Sequence, residues 1–99
     1  MILTTTNTID SHPIQDYLGI VTGVSAKMRK TSFSFNMEKF YATIETTINE
    51  IKEEAFQKLQ ENAIKLKANA VVGIKLDLEL YNTTQVILVS ITGTAVKIV

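Results

Sequence analysis

The sequence predicts a single small α+β domain over residues 1–99. Two observations carry this prediction. Both ends of the chain alternate apolar and polar residues with the period of a β-strand, and the middle repeats with the period of an α-helix. The chain also contains no linker, internal repeat or low-complexity segment that would separate these blocks into different domains.

Residues 2–28 are strand-like. The string ILTTT is apolar and β-branched, which suits a half-buried strand, and DSHPI after it predicts a hairpin turn. In YLGIVTGVSAKM one face is predicted to carry Leu18, Ile20, Thr22, Val24, Ala26 and Met28. The opposite face is predicted to carry Tyr17, Gly19, Val21, Gly23 and Ser25. Because the second face is mostly small, it permits another backbone to approach closely.

One long helix is predicted from about Met37 to about Leu66. Asn36 is a candidate N-cap, and Phe35 and Phe40 have the spacing of a hydrophobic staple. One apolar stripe runs along the helix, formed by Ile44, Ile48, Ile51, Ala55, Leu59 and Leu66 and extended by Met37 and Tyr41. About 30 residues at 1.5 Å each give a length of about 45 Å, which is more than a domain of this size needs.

Ile64 points away from the apolar stripe, among Glu53, Gln57 and Gln60. A single exposed isoleucine needs no special explanation. On so long a helix, however, it also fits a second contact surface on a neighbouring subunit. The sequence leaves both interpretations open.

The string LKANAVVGI joins the helix to the next strand. It leaves a joint of about three residues, in which Asn69 is the natural candidate for a left-handed backbone conformation. No acidic, histidine or glycine-rich cluster surrounds the joint. It is therefore predicted to be a hinge of the fold rather than a binding loop.

The last third of the chain predicts a hairpin whose turn is YNTTQ. In its first strand, one face is predicted to be apolar and buried, with the other face in water. The buried face consists of Val72, Ile74, Leu76, Leu78 and Leu80. The second strand begins apolar on both faces, with Val86 and Leu88 opposite Ile87, Val89 and Ile91. One helix covers only one side of a small sheet, so another protomer is the economical cover for the other side.

Composition excludes several classes of function. Ten basic and ten acidic residues balance, so nothing favours nucleic acid, a membrane surface or a polyanionic substrate as partner. The short basic run of Lys27, Arg29 and Lys30 is interpreted as a solvated loop. The absence of cysteine removes disulfides, thiol nucleophiles and thiolate metal sites. The first ten residues lack the pattern of a signal peptide, and no apolar stretch approaches the ~20 residues of a bilayer span, so a cytoplasmic location is expected.

Metal ligands are sparse. His12 stands beside Pro13 in a turn, lacks an HxH or HExxH partner, and is interpreted as a surface residue without a role. Glu50 and Glu54 lie one helical turn apart, with Glu61 on the same side, and such spacing could serve a hard cation. All three face away from the apolar stripe, so a solvated helix face is the preferred interpretation.

No pattern indicates catalysis or nucleotide binding. Nothing in the spacing puts a base beside a nucleophile, and a single histidine disfavours a catalytic triad. The glycines form neither a GxGxxG motif nor a P-loop. The aromatic residues near the start of the helix, Phe33, Phe35, Phe40 and Tyr41, are interpreted as a staple of the helix, with stacking on bases or a flavin as the alternative.

Four strings occur in a familiar order: ILTTTNTI, YLGIVTG, NAVVGIKLDLE and VSITGTAVKI. Together they resemble the YbjQ-like family, whose members are often labelled heavy-metal-binding domains, over about residues 2–24 and 55–98. The resemblance implies a β-α-β-β domain similar to a dodecin subunit, with the helix lying across a mostly antiparallel sheet. It also implies assembly into a ring, typically a pentamer.

The chain departs from the family pattern at three places. Members usually carry an acidic residue where Val24 stands and a glycine where Lys67 stands. The string SAKMRKTSFSFNMEK replaces their glycine-rich segment between strand and helix. These differences weaken an inherited metal site, and no metal ligand or catalytic residue is assigned.

From these observations we predict a homo-oligomer, expected to be a pentamer, with a non-enzymatic binding or structural role. One alternative is metal binding at a subunit interface, where carboxylates or His12 of several subunits would converge. Another is a small aromatic cofactor held between subunits by Phe33, Phe35 or Tyr41. The predicted partner is the protein itself, with neither nucleic acid nor membrane.

Overall fold

The computed structural model describes residues 1–28, 37–81 and 86–99, with helix side chains described from residue 44 onward. The elements are β1 (Ile2–Leu3), β2 (Ile14–Met28), α1 (Met37–Lys65), β3 (Ala70–Tyr81) and β4 (Val86–Ile98). One helix packs on a four-stranded sheet, which confirms the predicted α+β class. No helix in the described residues has the length and hydrophobicity needed to cross a membrane.

The sheet is mixed and has the order β1-β3-β4-β2. The pairs β2–β4 and β3–β4 are antiparallel, whereas β1 runs parallel to β3. The mostly antiparallel sheet and the final hairpin are therefore confirmed. The predicted N-terminal hairpin is wrong, because β1 and β2 lie at opposite sides of the sheet. The turn at DSHPI redirects the chain without pairing the strands that flank it.

The helix packs over β2 and β4, and its apolar stripe forms the core as predicted. Ile51, Ala55 and Leu59 are fully buried, together with Ala63, which the predicted stripe did not include. Leu66 is exposed, contrary to the prediction, because α1 ends at Lys65 and the chain then turns away.

The helix packs against the small-residue face of β2, where the sequence predicts that another backbone can approach closely. A Cβ at Gly23 would overlap the backbone carbonyl oxygen of Ala55 and come within 2.6 Å of the amide nitrogen of Leu59. Only glycine therefore allows the two backbones this close approach.

A register shift between Tyr17 and Gly19 corrects one detail of the predicted faces of β2. The shift turns Leu18 toward the helix-side core. Leu18 therefore does not share the face of Ile20, because a single irregularity inverts the alternation of the residues before it.

A bulge in β3 corrects the predicted apolar face of that strand. Gly73 has a φ of 61°, and β3 gains one residue over β4 between Val72 and Lys75. The extra residue leaves Ile74 in the helix-side core but puts Val72 on the other face. There Val72 belongs to a second small core, formed by Ala70, Val72, Val96 and Ile98 and packed against Ile9 and Ile14.

The junction after α1 is a helix-capping turn. The Ala68 N–H donates to the Ala63 carbonyl at 3.1 Å, and the Lys67 N–H donates to the Ile64 carbonyl at 2.9 Å. These two bonds define a Schellman motif. Its left-handed residue is Lys67, with a φ of 64°, so the assignment of that conformation to Asn69 is wrong. The Asn69 side-chain amide instead donates to the Ile98 carbonyl and accepts from the Ile98 N–H, at 2.9 and 2.7 Å.

Candidate interaction surfaces and a charged cluster

His12 has a structural contact that the sequence did not indicate. Its Nδ1 lies 2.7 Å from the carbonyl oxygen of Val99, and the Val99 N–H donates to the Pro13 carbonyl at 3.1 Å. The turn before β2 is thereby tied to the end of β4. The interpretation of His12 as a residue without a role is corrected to this extent.

Four polar side chains of β2 and α1 form the charged cluster: Ser25, Lys27, Glu50 and Glu54. Ser25 is buried, and its hydroxyl donates to Glu54 Oε2 at 2.7 Å. Lys27 Nζ lies 3.1 Å from Glu54 Oε1 and 3.3 Å from Glu50 Oε2. Glu54 therefore contacts the sheet, contrary to the predicted solvated face, and Lys27 belongs to β2 rather than to a loop.

The cluster shifts the titration of its own members. The Ser25 hydroxyl, and next the Lys27 ammonium, hold the pKa of Glu54 below its ordinary value of 4.5. Hydrogen bonds to Glu54 and then Glu50 raise the pKa of Lys27 above 10.5. The three charged members of the cluster line a shallow concavity of about 390 Å³ together with Glu53 and Gln57. Because Lys27 of β2 bridges two carboxylates of α1, we interpret the cluster as a clasp between helix and sheet.

The described part of one chain does not assemble a metal site. No group of three or more His, Cys, Asp or Glu residues lies close enough together in residues 1–28, 37–81 and 86–99 to hold an ion. Glu50 and Glu54 do approach each other, but the Lys27 ammonium already occupies the space between their oxygens. A site with enough ligands would therefore need carboxylates from more than one subunit.

A second shallow concavity, of about 360 Å³, lies in the segment between β1 and β2 and includes Thr4, Thr6 and Thr8 in its lining. The Thr6 hydroxyl donates to the Thr8 carbonyl at 2.7 Å. The backbone carbonyls of Thr4 and Thr6 accept from Ile74 and Gly73 of the β3 bulge, at 3.1 and 2.8 Å. The backbone of Thr4 and Thr6 thus holds this segment against the edge of β3 at Gly73 and Ile74.

The C-terminal half of β3 carries a row of exposed apolar side chains on one face. Leu76, Leu78 and Leu80, here called the leucine row, are 39%, 38% and 54% exposed. They lie on the helix side of the sheet, and among the described residues the helix packs mainly over β2 and β4 rather than over β3. This surface was predicted as a buried face from its alternation alone.

A second apolar surface lies on the side of the sheet that faces away from the helix. The outer patch, as we name it, consists of Ile20, Val24, Ala26 and Met28 of β2 and Leu88 of β4. Ile20 and Met28 are 76% and 72% exposed, and Leu88 is half-buried. In the described part of the chain, the doubly apolar start of β4 is buried on the helix side and half-buried on the other side.

The outer edge of β2 is occupied by helix side chains. Asn62 Nδ2 donates to the Thr22 carbonyl at 2.8 Å, and Lys58 Nζ donates to the Val24 carbonyl at 3.0 Å. Side-chain donors on an edge strand discourage the addition of another strand there. Among the described residues, the edge of β3 beyond Ile74 has no comparable donors.

Several predicted features lie outside the described residues. These are Arg29, Lys30, Phe33, Phe35, Asn36 and the turn after Tyr81, and the side chains of Met37, Phe40 and Tyr41. Ile64, in contrast, belongs to the described residues. Its side chain is 56% exposed, which confirms that it points away from the core.

Comparison with known proteins agrees with this fold. The family model YbjQ_1, described as "Putative heavy-metal-binding", matches residues 1–99. A crystal structure from Pediococcus pentosaceus, of a protein of unknown function in the DUF74 family, matches with a TM-score of 0.73 and 24% sequence identity. The match covers 100% of this chain and 98% of that one. At this identity the structural match establishes the fold alone, while the family match extends over the whole chain. The chain belongs to the YbjQ-like family.

Proposed function

We propose that the protein works as a homo-oligomer, expected to be a pentameric ring, with a non-enzymatic binding or structural role. The observation that carries this proposal is the pair of uncovered apolar surfaces, the leucine row and the outer patch. Apolar residues that are exposed singly are ordinary, but contiguous patches on a small domain are typical of interaction sites.

Fully burying a leucine or methionine side chain is worth about 1.5–3 kcal/mol relative to leaving it in water. The leucine row alone contains three such side chains, each with a third or more of its surface exposed. A second copy that covered this row would gain several kcal/mol at every contact, before the entropic cost of association.

The non-enzymatic part of the proposal rests on how the polar groups are used. Ser25 is buried against Glu54, His12 holds the Val99 carbonyl, and Asn62 holds the edge of β2. Each contact joins two elements of the fold. In the described residues these groups thus join elements of the fold, and the Ser25 hydroxyl that lies against the Glu54 carboxylate is buried rather than open to a substrate.

A second candidate is metal binding at a subunit interface, which the description of the matching family favours. One described chain brings together too few ligands, so such a site would have to form where several copies meet. This candidate predicts binding that depends on the intact oligomer and is reversed by a chelator.

Native mass spectrometry of protein purified without chelators tests the proposal. A mass of five chains is expected. A mass that reproducibly exceeds five chains would show a bound ligand. Elemental analysis would then identify a metal, and visible absorbance would identify a cofactor. A monomer at micromolar concentration would contradict the proposal, because the leucine row would then be stable in water.

Ile64 provides a separate test of the assembly. We predict that Ile64→Glu weakens the oligomer if a neighbouring subunit covers this exposed helix position. The variant should fold normally by circular dichroism, since Ile64 lies outside the core. An oligomer of unchanged mass and stability would mean that Ile64 makes no contact between subunits.

A further inference from the structure

We draw no further inference here: the strongest candidate, the shallow concavity at the charged cluster between β2 and α1, carries nothing because Ser25 and Lys27 already bind the glutamates of the cluster itself, and no second observation in the described residues points to a ligand there.

Discussion

Strands β3 and β4 are neighbours with similarly apolar sequences, yet their side chains differ sharply in burial. On the helix side, Leu76 pairs with Ile91, Leu78 with Val89 and Leu80 with Ile87. The three residues of β4 are at most 2% exposed, and the three of β3 are 38–54% exposed. The difference comes from the helix, which packs mainly over β2 and β4 and makes few contacts with β3 in the described residues. Alternation along a strand therefore identifies a face, while the covering element decides whether that face is buried.

The largest expected effect comes from alanine substitutions at the two residues of one cross-strand pair, Ile91 of β4 and Leu76 of β3. Ile91→Ala should lower the free energy of unfolding by about 2–5 kcal/mol, because it leaves a cavity under the helix. Leu76→Ala should cost less than about 1 kcal/mol in dilute protein, because Leu76 is already partly in water. Chemical denaturation of both variants at low concentration measures the difference. Equal losses would mean that β3 is covered within one chain.

The position of the helix over β2 depends on Gly23. Gly23→Ala should destabilise the protein by about 3 kcal/mol, at the upper end of the overpacking range, because the new methyl group meets helix backbone. Thr22→Ala, at the adjacent exposed position, should cost less than about 0.5 kcal/mol. Thermal unfolding of the two variants provides the comparison. A tolerated alanine at position 23 would contradict the close contact between the helix and β2.

The turn that leads from the helix to β3 contains a strained residue. Lys67→Gly should stabilise the protein by up to about 1 kcal/mol, because glycine adopts a left-handed conformation without the steric cost that lysine bears. The same change two residues earlier, Lys65→Gly, should destabilise by about 0.5–1 kcal/mol, since that residue is helical. Urea unfolding of both variants would separate these opposite signs. A loss of stability in Lys67→Gly would show that the lysine side chain makes a contact of greater value.

The smallest effect concerns the clasp that holds the helix on the β2 side. Because the pKa of Glu54 is lowered in the folded chain, its contribution to stability is present above about pH 4.5 and is lost as pH falls through the lowered pKa. Glu54→Gln should therefore reduce the fall in stability as the pH drops below about 4.5. Urea unfolding across this range, with Glu53→Gln as the control, measures it. If the free energy of unfolding falls with pH as steeply in Glu54→Gln as in the wild-type chain, the charge of Glu54 does not contribute to stability.

Much of the fold could be predicted from periodicity, and the failures have physical causes. Local patterns are enough to predict the bounds of α1, the close contact of the helix with Gly23 and the final hairpin. The pairing of β1 with β3 could not be predicted, because a two-residue strand has almost no pattern of its own. The face of Val72 was missed because a single glycine bulge inverts the alternation, although a glycine inside a strand is a known signal for a bulge.

The candidate surfaces were only partly predictable. The bond between Ser25 and Glu54 joins residues 29 positions apart, and no local spacing reveals such a contact. The sequence did indicate an uncovered face at the start of β4. It could not indicate that the leucines of β3 are also uncovered, because this depends on the lateral position of the helix across the sheet.

The absence of cysteine allows a direct measurement of the central claim, that a second copy covers the leucine row. Leu78→Cys and Asp77→Cys each introduce a single thiol, on opposite faces of the same strand. The rate of labelling by a soluble maleimide would be measured at low and high protein concentration. The account predicts that the thiol at position 78 becomes protected as concentration rises, while the thiol at position 77 reacts at the same rate throughout. Equal reactivity of both thiols at every concentration, in protein of confirmed fold, would contradict it.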